Sequence, residues 1–331
     1  MPVVKFPYGT GYVEYDIPEL RFRAELVSRM HHYKPEHSPR ELVARALENP
    51  IGSPRLSVMA EGRKNIVIIC SDHTRPVPSR TIIPPMLAEI RKGSPDAKIT
   101  LLVSTGCHRP TTEAELEMKF GAEIVKNEKI VVHDCDNSEM VDIGKLPSGG
   151  RIIVNRLAVE ADLLCAEGFI EPHFFAGFSG GRKSLFPGVA SRGAVLYNHN
   201  SEFIAHPCSR TGILEGNPIH ADMLHAARVA GLDFICNVII NSEKEAIFAV
   251  AGGSGQGARR GRGVPRRKVQ GRGRSGGHRD LHQRRVPARP EHLPGREGND
   301  GGGSHRQEGR RDRHARAQQR GARRGNVSQD F

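Results

Sequence analysis

Three short polar segments of this sequence hold side chains that could carry acid–base chemistry. The residues of interest are Asp72, His73, Thr74 and Arg75 in 71–76, Cys107 and His108 in 105–110, and Glu171 and His173 in 168–173. Histidine binds and releases a proton near neutral pH, so each segment offers a candidate general base or acid. A single histidine is more often a hydrogen-bonded structural residue, so a catalytic interpretation needs the three segments to lie together.

A fourth segment, 177–184, is rich in glycine and carries Lys183. It nearly matches the phosphate-binding pattern Gly-x-x-x-x-Gly-Lys-Ser/Thr, but Arg182 stands where the second glycine is required. Its glycines free backbone amides for an anion and let a cofactor approach Lys183, whose amine could form a covalent adduct. A phosphate-binding NTPase or kinase is therefore an alternative function, and a surface lysine in a turn is the structural alternative.

His199 lies in the polar run 197–200. It could bind a metal ion through a ring nitrogen, although an isolated histidine more often makes structural hydrogen bonds. The six cysteines, at positions 70, 107, 135, 165, 208 and 236, include no Cys-x-x-Cys pair. This spacing indicates neither a zinc ribbon nor a redox motif, so we expect free thiols and leave thiolate chemistry at Cys107 open.

Apolar runs alternate with helical patterns over most of the chain. The runs that predict strands are 65–70, 98–104, 129–133, 161–166 and 234–240, and the helical patterns are 80–92 and 112–120. Continuous apolar runs are typical of strands buried on both faces, and their alternation with helices predicts an α/β fold with a parallel sheet. Ligands bind at the carboxyl ends of such strands, and each polar segment follows a predicted strand. We therefore expect the segments to meet in one crevice.

The basic residues are concentrated at one end of the chain. The 331 residues carry a net charge of +12, yet 252–331 alone hold 20 Arg and 1 Lys against 7 acidic residues. Residues 1–251 are therefore slightly acidic, which argues against nucleic acid as a partner. The N-terminal residues include no apolar signal segment, and no apolar run approaches the ~20 residues that a membrane helix needs. We expect a cytoplasmic protein with no membrane partner.

Segment 252–331 differs in composition from the rest. It contains 18 Gly beside its 20 Arg and few apolar side chains, so it cannot bury enough apolar surface to offset the entropy of an ordered chain. We expect it to be a disordered, low-complexity tail. It could bind RNA as an Arg/Gly arm, but Phe331 is its only aromatic residue and base stacking would be poor. The other interpretation is translation out of frame from GC-rich DNA.

Taken together, 71–78, 105–110 and 168–187 resemble the nickel-pincer lactate racemase family, and the resemblance runs from about residue 8 to Ala251. It implies a two-domain α/β enzyme with the active site in the cleft. Residues 1–251 would then be the N-terminal region, with the core motifs in 65–200, and 252–331 would stand in place of the second domain. The family's cofactor is a nickel-pincer nucleotide, a pyridinium mononucleotide whose two thio-acid groups hold nickel through two sulfurs and a ring carbon. Cofactor-synthesis proteins are the implied partners.

The resemblance also assigns roles to residues. Those implied to bind the cofactor are Asp72, His73, Thr74, Arg75, Lys183 and His199. Lys183 would form the covalent thioamide link, and His199 would be the protein ligand to nickel. His108 and His173 match the pair of acid/base histidines for racemisation of lactate or another 2-hydroxy acid by hydride transfer. The intermediate is a flat 2-keto acid, and the two enantiomers place their hydroxyls differently, so two bases are needed that titrate near the working pH.

The family continues past Ala251 into a half that supplies a Gln and, three residues later, a Lys to hold the substrate. Residues 252–331 as written contain nothing similar. If the reading frame is shifted by one base and permitted codons are chosen, two stretches can be read as sequences that resemble the family. They are 285–300 and 253–258. We interpret 252–331 as an out-of-frame remnant of the second domain, and we expect impaired or absent racemase activity. A relative that binds the cofactor without catalysis is a further alternative.

Overall fold

A computed structural model of the chain describes residues 3–9, 11–24 and 33–254. Three predictions concern residues outside these ranges, because they fall on the segment that follows Ser254. They are the disorder of the tail, its possible RNA binding and its origin in a shifted reading frame.

The described part contains twelve strands and ten α-helices. The strands are β1 (Val3–Tyr8), β2 (Gly11–Asp16), β3 (Asn65–Ser71), β4 (Lys98–Ser104), β5 (Lys129–Val132), β6 (Met140–Lys145), β7 (Arg151–Asn155), β8 (Leu163–Phe169), β9 (Pro172–His173), β10 (Gly177–Phe178), β11 (Phe234–Ile240) and β12 (Ala246–Gly253). The helices are α1 (Pro39–Glu48), α2 (Leu56–Ala60), α3 (Ser79–Gly93), α4 (Glu113–Phe120), α5 (Ala122–Asn127), α6 (Arg156–Glu160), α7 (Arg182–Leu185), α8 (Arg192–Asn198), α9 (Ser201–Ala205) and α10 (Pro218–Ala230).

The main sheet has six strands in the order β12-β11-β8-β3-β4-β5. The five strands that the sequence predicts are all present and run parallel to one another, which confirms the predicted α/β class. The sixth strand, β12, was not predicted, and it pairs antiparallel with β11 at the edge of the sheet. Three two-stranded antiparallel sheets, β1-β2, β6-β7 and β9-β10, accompany the main one.

Strand β12 ends at Gly253, beyond Ala251, where the sequence analysis placed the end of the folded region. Gly252 and Gly253 belong to the strand because Gly252 lies against the backbone of Ile51. A Cβ on Gly252 would stand 2.1 Å from the carbonyl oxygen of Ile51. Composition alone assigned both glycines to the tail, whereas this close backbone approach explains why glycine is needed here.

The central strands are apolar throughout because both faces of the sheet are covered. Ile66 and Ile68 pack on one face with side chains from α1, α2 and α3. Val67 and Ile69, which alternate with them along β3, pack on the other face with side chains from α6, α7 and α10. This double cover produces the unbroken apolar run that predicted the strand.

The two predicted helices are present as α3 and α4. Helix α3 continues through Pro84 and Pro85, which lack the N–H groups for two intrahelical bonds, and its buried apolar face holds it in place. Helix α4 begins at a capping box formed by Thr112 and Glu115, and it ends at Phe120, where the predicted helical pattern also ends.

All six cysteines lie in the described part, and they are free, as expected. Among the helices of the described ranges, none combines the length and the apolar character required to span a bilayer.

Candidate active site

A cavity of about 300 Å³ lies at the carboxyl ends of β3, β4 and β8. All three polar segments and the glycine-rich loop contribute to its lining. The predicted site residues in this lining are Asp72, Arg75, His108, His173, Lys183 and His199. The parallel strands thus bring together residues that are far apart in the sequence, at the edge of the sheet where ligands of α/β proteins bind.

The buried carboxylate of Asp72 orients His108. One carboxylate oxygen, Oδ2, accepts a hydrogen bond from Nδ1 of His108 at 2.7 Å. The other, Oδ1, accepts from the hydroxyl of Thr74 at 2.8 Å and from its backbone N–H at 3.2 Å. Because a carboxylate only accepts, the proton of the His108 ring lies on Nδ1, and Nε2 keeps its lone pair. His108 is therefore set as a base at Nε2.

His73 and Thr74 do not belong to the cavity lining. Nδ1 of His73 lies 3.0 Å from the hydroxyl oxygen of Thr111 and 3.9 Å from the carboxylate of Glu115. Thr74 supports Asp72, and its hydroxyl oxygen lies 3.4 Å from Nδ1 of His108. The predicted role of both residues in binding the cofactor stays a prediction.

In His173, the ring proton lies on the other nitrogen than in His108. Its Nδ1 accepts a hydrogen bond from the backbone N–H of Ala176 at 3.2 Å, so in the neutral ring the proton lies on Nε2. The ring stacks on Phe174 with a centroid distance of 4.8 Å and meets Phe175 edge-on at 4.6 Å.

The pKa of His173 is lower than the sequence analysis expected. Burial and, to a smaller extent, the positive charge of Lys183 together lower its pKa to about 4, with still smaller contributions from His199 and Arg75. The sequence analysis expected both acid/base histidines to titrate near the working pH. In the structure, the pKa of His173 lies below that range, because its ring is desolvated among cationic groups.

Lys183 lies in the one-turn helix α7, at the end of the glycine-rich segment, and lines the cavity. Burial, together with the positive charges of Arg75 and Arg182, lowers the pKa of its ammonium group to about 8. A substantial fraction is then the neutral, nucleophilic amine at mildly alkaline pH. The loop needs glycine at Gly180, where φ is +81° and a Cβ would lie 2.9 Å from the carbonyl oxygen of Phe169.

Arg182 braces this loop from inside. Its guanidinium donates to the carbonyl oxygens of Ala176 and Phe178 at 3.0 and 3.1 Å, and burial lowers its pKa to about 10. The loop follows the two-residue strand β10 and leads into the one-turn helix α7. A phosphate-binding loop of an NTPase joins a buried parallel strand to a long helix, so this context disfavours the NTPase alternative.

His199 caps the C-terminal end of α8. Burial lowers its pKa to about 4, and the positive charge of Lys183 contributes, so the ring is neutral at pH 7. Its Nδ1 lies 3.1 Å from the side-chain oxygen of Asn198, and the ring meets Phe175 edge-on at 4.9 Å. A neutral imidazole with one nitrogen available is the form that binds metals.

The sequence analysis missed Glu167 in β8, which is fully buried. Its Oε1 accepts from the N–H and the hydroxyl of Ser71, each at 3.2 Å, and from the hydroxyl of Ser79 at 2.6 Å. Glu167 therefore ties both ends of the loop that carries Asp72 and Arg75 to the neighbouring strand. The available signal was a charged residue inside an otherwise apolar run.

Comparison with known proteins places this chain in a family. The sequence profile described as the lactate racemase N-terminal domain matches residues 8–212. The chain is 56% identical over 255 residues to a lactate racemase from Thermoanaerobacterium thermosaccharolyticum, a match that covers 77% of this chain and 60% of that protein. It is 51% identical over 253 residues to a lactate racemase from Lactiplantibacillus plantarum, covering 76% of this chain and 60% of that protein.

The fold agrees with a solved structure, that of the lactate racemase apoprotein from Thermoanaerobacterium thermosaccharolyticum. The TM-score is 0.70 at 55% sequence identity, and the match covers 77% of this chain and 60% of the other. This chain therefore spans 60% of the length of the curated relatives that it matches. On the profile match and these identities, the chain belongs to the lactate racemase family.

Proposed function

We propose that the cavity is the cofactor-binding side of a racemase active site for lactate or a closely related 2-hydroxy acid. The observation that carries this proposal is the pair His108 and His173, which line one cavity with opposite proton placement, together with Lys183 and His199. Similarity to two proteins named lactate racemase supports lactate as the first substrate to test.

The donor set of the cavity fits a nickel-pincer nucleotide. The Lys183 amine, whose pKa is about 8, could form a thioamide with a thio-acid group as the C–O bond of that group breaks and water leaves, and the neutral ring of His199 offers a nitrogen to nickel. Arg75 lines the same cavity, and its guanidinium suits the phosphate of a mononucleotide. When bound, this group would supply the hydride acceptor and donor for the α-carbon of the substrate. Cofactor-synthesis proteins are the partners that we propose.

His108 is the base for one enantiomer. Its Nε2 lone pair can take the proton of the substrate hydroxyl while Nδ1–H stays bonded to Asp72. The buried carboxylate stabilises the imidazolium that forms, and Thr74 keeps the carboxylate in place. We thus propose that Asp72 and Thr74 act through His108.

His173 serves the other enantiomer, and it needs the substrate to become active. Its pKa of about 4 reflects burial among cations, and the carboxylate of a 2-hydroxy acid would offset those charges and raise the pKa. A protonated ring has no lone pair on Nδ1 to accept the N–H of Ala176. We therefore expect the His173 ring to turn when it takes up a proton.

The chain as written would still lack a substrate clamp. Residues 252–331 contain no match to the Gln and Lys that the family resemblance implies, so we propose that they are an out-of-frame remnant and that racemisation by this polypeptide is weak or absent. The experiment begins by resequencing the gene across the codons for Gly252 and Gly253. A confirmed reading frame establishes this chain as the product, and a corrected base restores a second domain.

The chain and a version with the corrected frame are then produced with the cofactor-synthesis proteins. Each is given L-lactate or D-lactate, and the enantiomer ratio is followed by chiral chromatography. We expect racemisation from the corrected version only, and its loss in His108→Ala and in His173→Ala with the cofactor still bound. Near-normal racemisation in either variant would contradict the assigned roles. Cofactor binding without racemisation in the corrected version would favour a non-catalytic relative.

A further inference from the structure

Behind His199, a continuous series of hydrogen bonds, buried at its centre, joins α8, α10 and the loop between β6 and β7. Nδ1 of His199 lies 3.1 Å from the side-chain oxygen of Asn198 at the end of α8. The Asn198 amide nitrogen donates to Oδ2 of Asp222 in α10 at 3.1 Å. Asp222 also accepts from the hydroxyl of Ser148, at 2.6 Å, and from its backbone N–H, at 3.2 Å. Asn198 and Asp222 are 0% and 1% exposed, so water does not compete for these bonds.

The carboxylate of Asp222, at the far end, decides which group donates and which accepts in each of these hydrogen bonds. A carboxylate that receives three donors acts only as an acceptor, so the side chain of Asn198 must turn its NH₂ group towards Asp222. The amide oxygen of Asn198 then faces His199 and can only accept. The proton of the neutral His199 ring is thereby drawn to Nδ1, and Nε2 keeps the lone pair.

We propose that the Asn198–Asp222 pair sets the tautomer of His199 and leaves Nε2 as the ring nitrogen that binds a ligand in the cavity. Both residues are positioning residues, since they act through His199. This inference rests on the proposed function in one respect, which is that the ligand of Nε2 is the nickel of the cofactor. Outer hydrogen bonds of this kind orient metal-binding histidines and tune their affinity.

His133 provides an internal comparison with the opposite arrangement. Its Nε2 lies 3.0 Å from the carbonyl oxygen of Ala190, which can only accept, so the proton lies on Nε2. Its Nδ1 lies 3.2 Å from the amide nitrogen of Asn155 and accepts from it. One asparagine thus presents its oxygen to His199, and another presents its NH₂ group to His133. The two buried rings should carry opposite tautomers in the same protein.

The test is a long-range ¹H–¹⁵N spectrum of the full chain labelled at histidine, without cofactor, at pH 7.5. His199 is assigned by the loss of its signals in His199→Gln. We expect a protonated Nδ1 and an unprotonated Nε2 for His199, and the reverse for His133. In Asp222→Asn and in Asn198→Leu, the signals of His199 should shift towards a protonated Nε2, while those of His133 stay unchanged.

Asp162→Asn is the matched control, because Asp162 is likewise an acceptor of backbone N–H, from Lys64 and Asn65, but lies at the opposite end of the sheet, beside β3. It should leave the His199 signals unchanged. A wild-type His199 with its proton on Nε2 would overturn the proposal, and so would unchanged His199 signals in both folded variants. If both variants unfold, the wild-type tautomer decides. The readout needs no cofactor, so failure of Lys183 to carry the cofactor would refute the proposed function and leave this result standing.

Discussion

His108 and His173 line the same cavity with their ring protons placed on opposite nitrogens. Nδ1 of His108 donates to the buried carboxylate of Asp72 at 2.7 Å, whereas Nδ1 of His173 accepts the backbone N–H of Ala176 at 3.2 Å. At Nε2, the first ring therefore offers a lone pair and the second a proton. In its neutral form, His173 can donate a hydrogen bond at Nε2, but it must first take up a proton before it can act as an acid.

The carboxylate of Asp72 should matter for stability as well as for chemistry. In Asp72→Ala, the Nδ1–H of His108 and the hydroxyl of Thr74 lose their acceptor, and the Thr74 N–H loses one too. We expect a loss of about 1–3 kcal/mol in the free energy of unfolding, measured by urea denaturation at pH 7.5. The exposed Glu48→Ala serves as control and should change little. Equal stability of Asp72→Ala and wild type would refute the importance of these bonds.

Replacing Glu167 by alanine should lower the free energy of unfolding much more than replacing it by glutamine. Glu167→Ala removes the acceptor for Ser71 and Ser79 and leaves a cavity in a fully buried strand, so we expect a loss of about 3 kcal/mol or more. Glu167→Gln keeps one oxygen in place and should recover much of that loss. Urea denaturation of both variants measures the effect. Equal losses in the two would mean that the loop is not held by this oxygen.

The pKa of His173 should rise when a neighbouring positive charge is removed. Lys183 is the largest charged contribution to the low value of about 4, because it disfavours the imidazolium form. Replacing it by a neutral side chain of similar length, in Lys183→Met, should move the pKa of His173 up towards the ordinary value of 6.5. The pKa is read from an NMR titration of the ring carbons, with the exposed Lys145→Met as control. No upward shift would show that burial alone sets the pKa.

The low pKa of His220 should make the protein sensitive to acid. Burial and the charge of Arg182 lower this pKa to about 4, and the ring lies outside the cavity lining. The unfolded chain binds a proton near the ordinary pKa of 6.5, before the folded one does, so His220 contributes stability above that pH. The contribution is lost as the pH falls from about 6.5 to 4.

His220→Gln should flatten this part of the pH profile. Between pH 6.5 and 4, the slope of the unfolding free energy should fall by up to about 1.4 kcal/mol per pH unit, which corresponds to one proton. Urea denaturation at pH 7.5, 6 and 5 measures the slope. Parallel profiles for the variant and the wild type would mean that His220 titrates normally in the folded state.

The sequence predicted the features that depend on local pattern. The five parallel strands are continuous apolar runs, α4 lies within the helical pattern 112–120, and the polar segments follow strands whose carboxyl ends must meet. These features need no knowledge of distant contacts. The family resemblance supplied the roles of individual residues, which spacing alone left open.

The features that the sequence missed depend on distant contacts. Strand β12 ends in glycines whose strand character depends on Ile51, about two hundred residues earlier in the chain. Asp222 is linked to His199 in the cavity through Asn198, which lies on another helix. Predicting the low pKa of His173 requires the positions of cationic side chains from separate segments. His73 and His108 look alike in the sequence, and only the path of each loop places one ring at Thr111 and the other at Asp72.

Attachment of the cofactor to Lys183 tests the central claim most directly. The chain is produced with nickel and the cofactor-synthesis proteins, digested, and examined by peptide mass spectrometry, with Lys183→Arg and the Lys145 peptide as controls. The proposed function predicts a mass increase on Lys183 in the wild type and none in either control. An unmodified Lys183 peptide in a preparation that contains free cofactor, or an adduct on another residue, would contradict it.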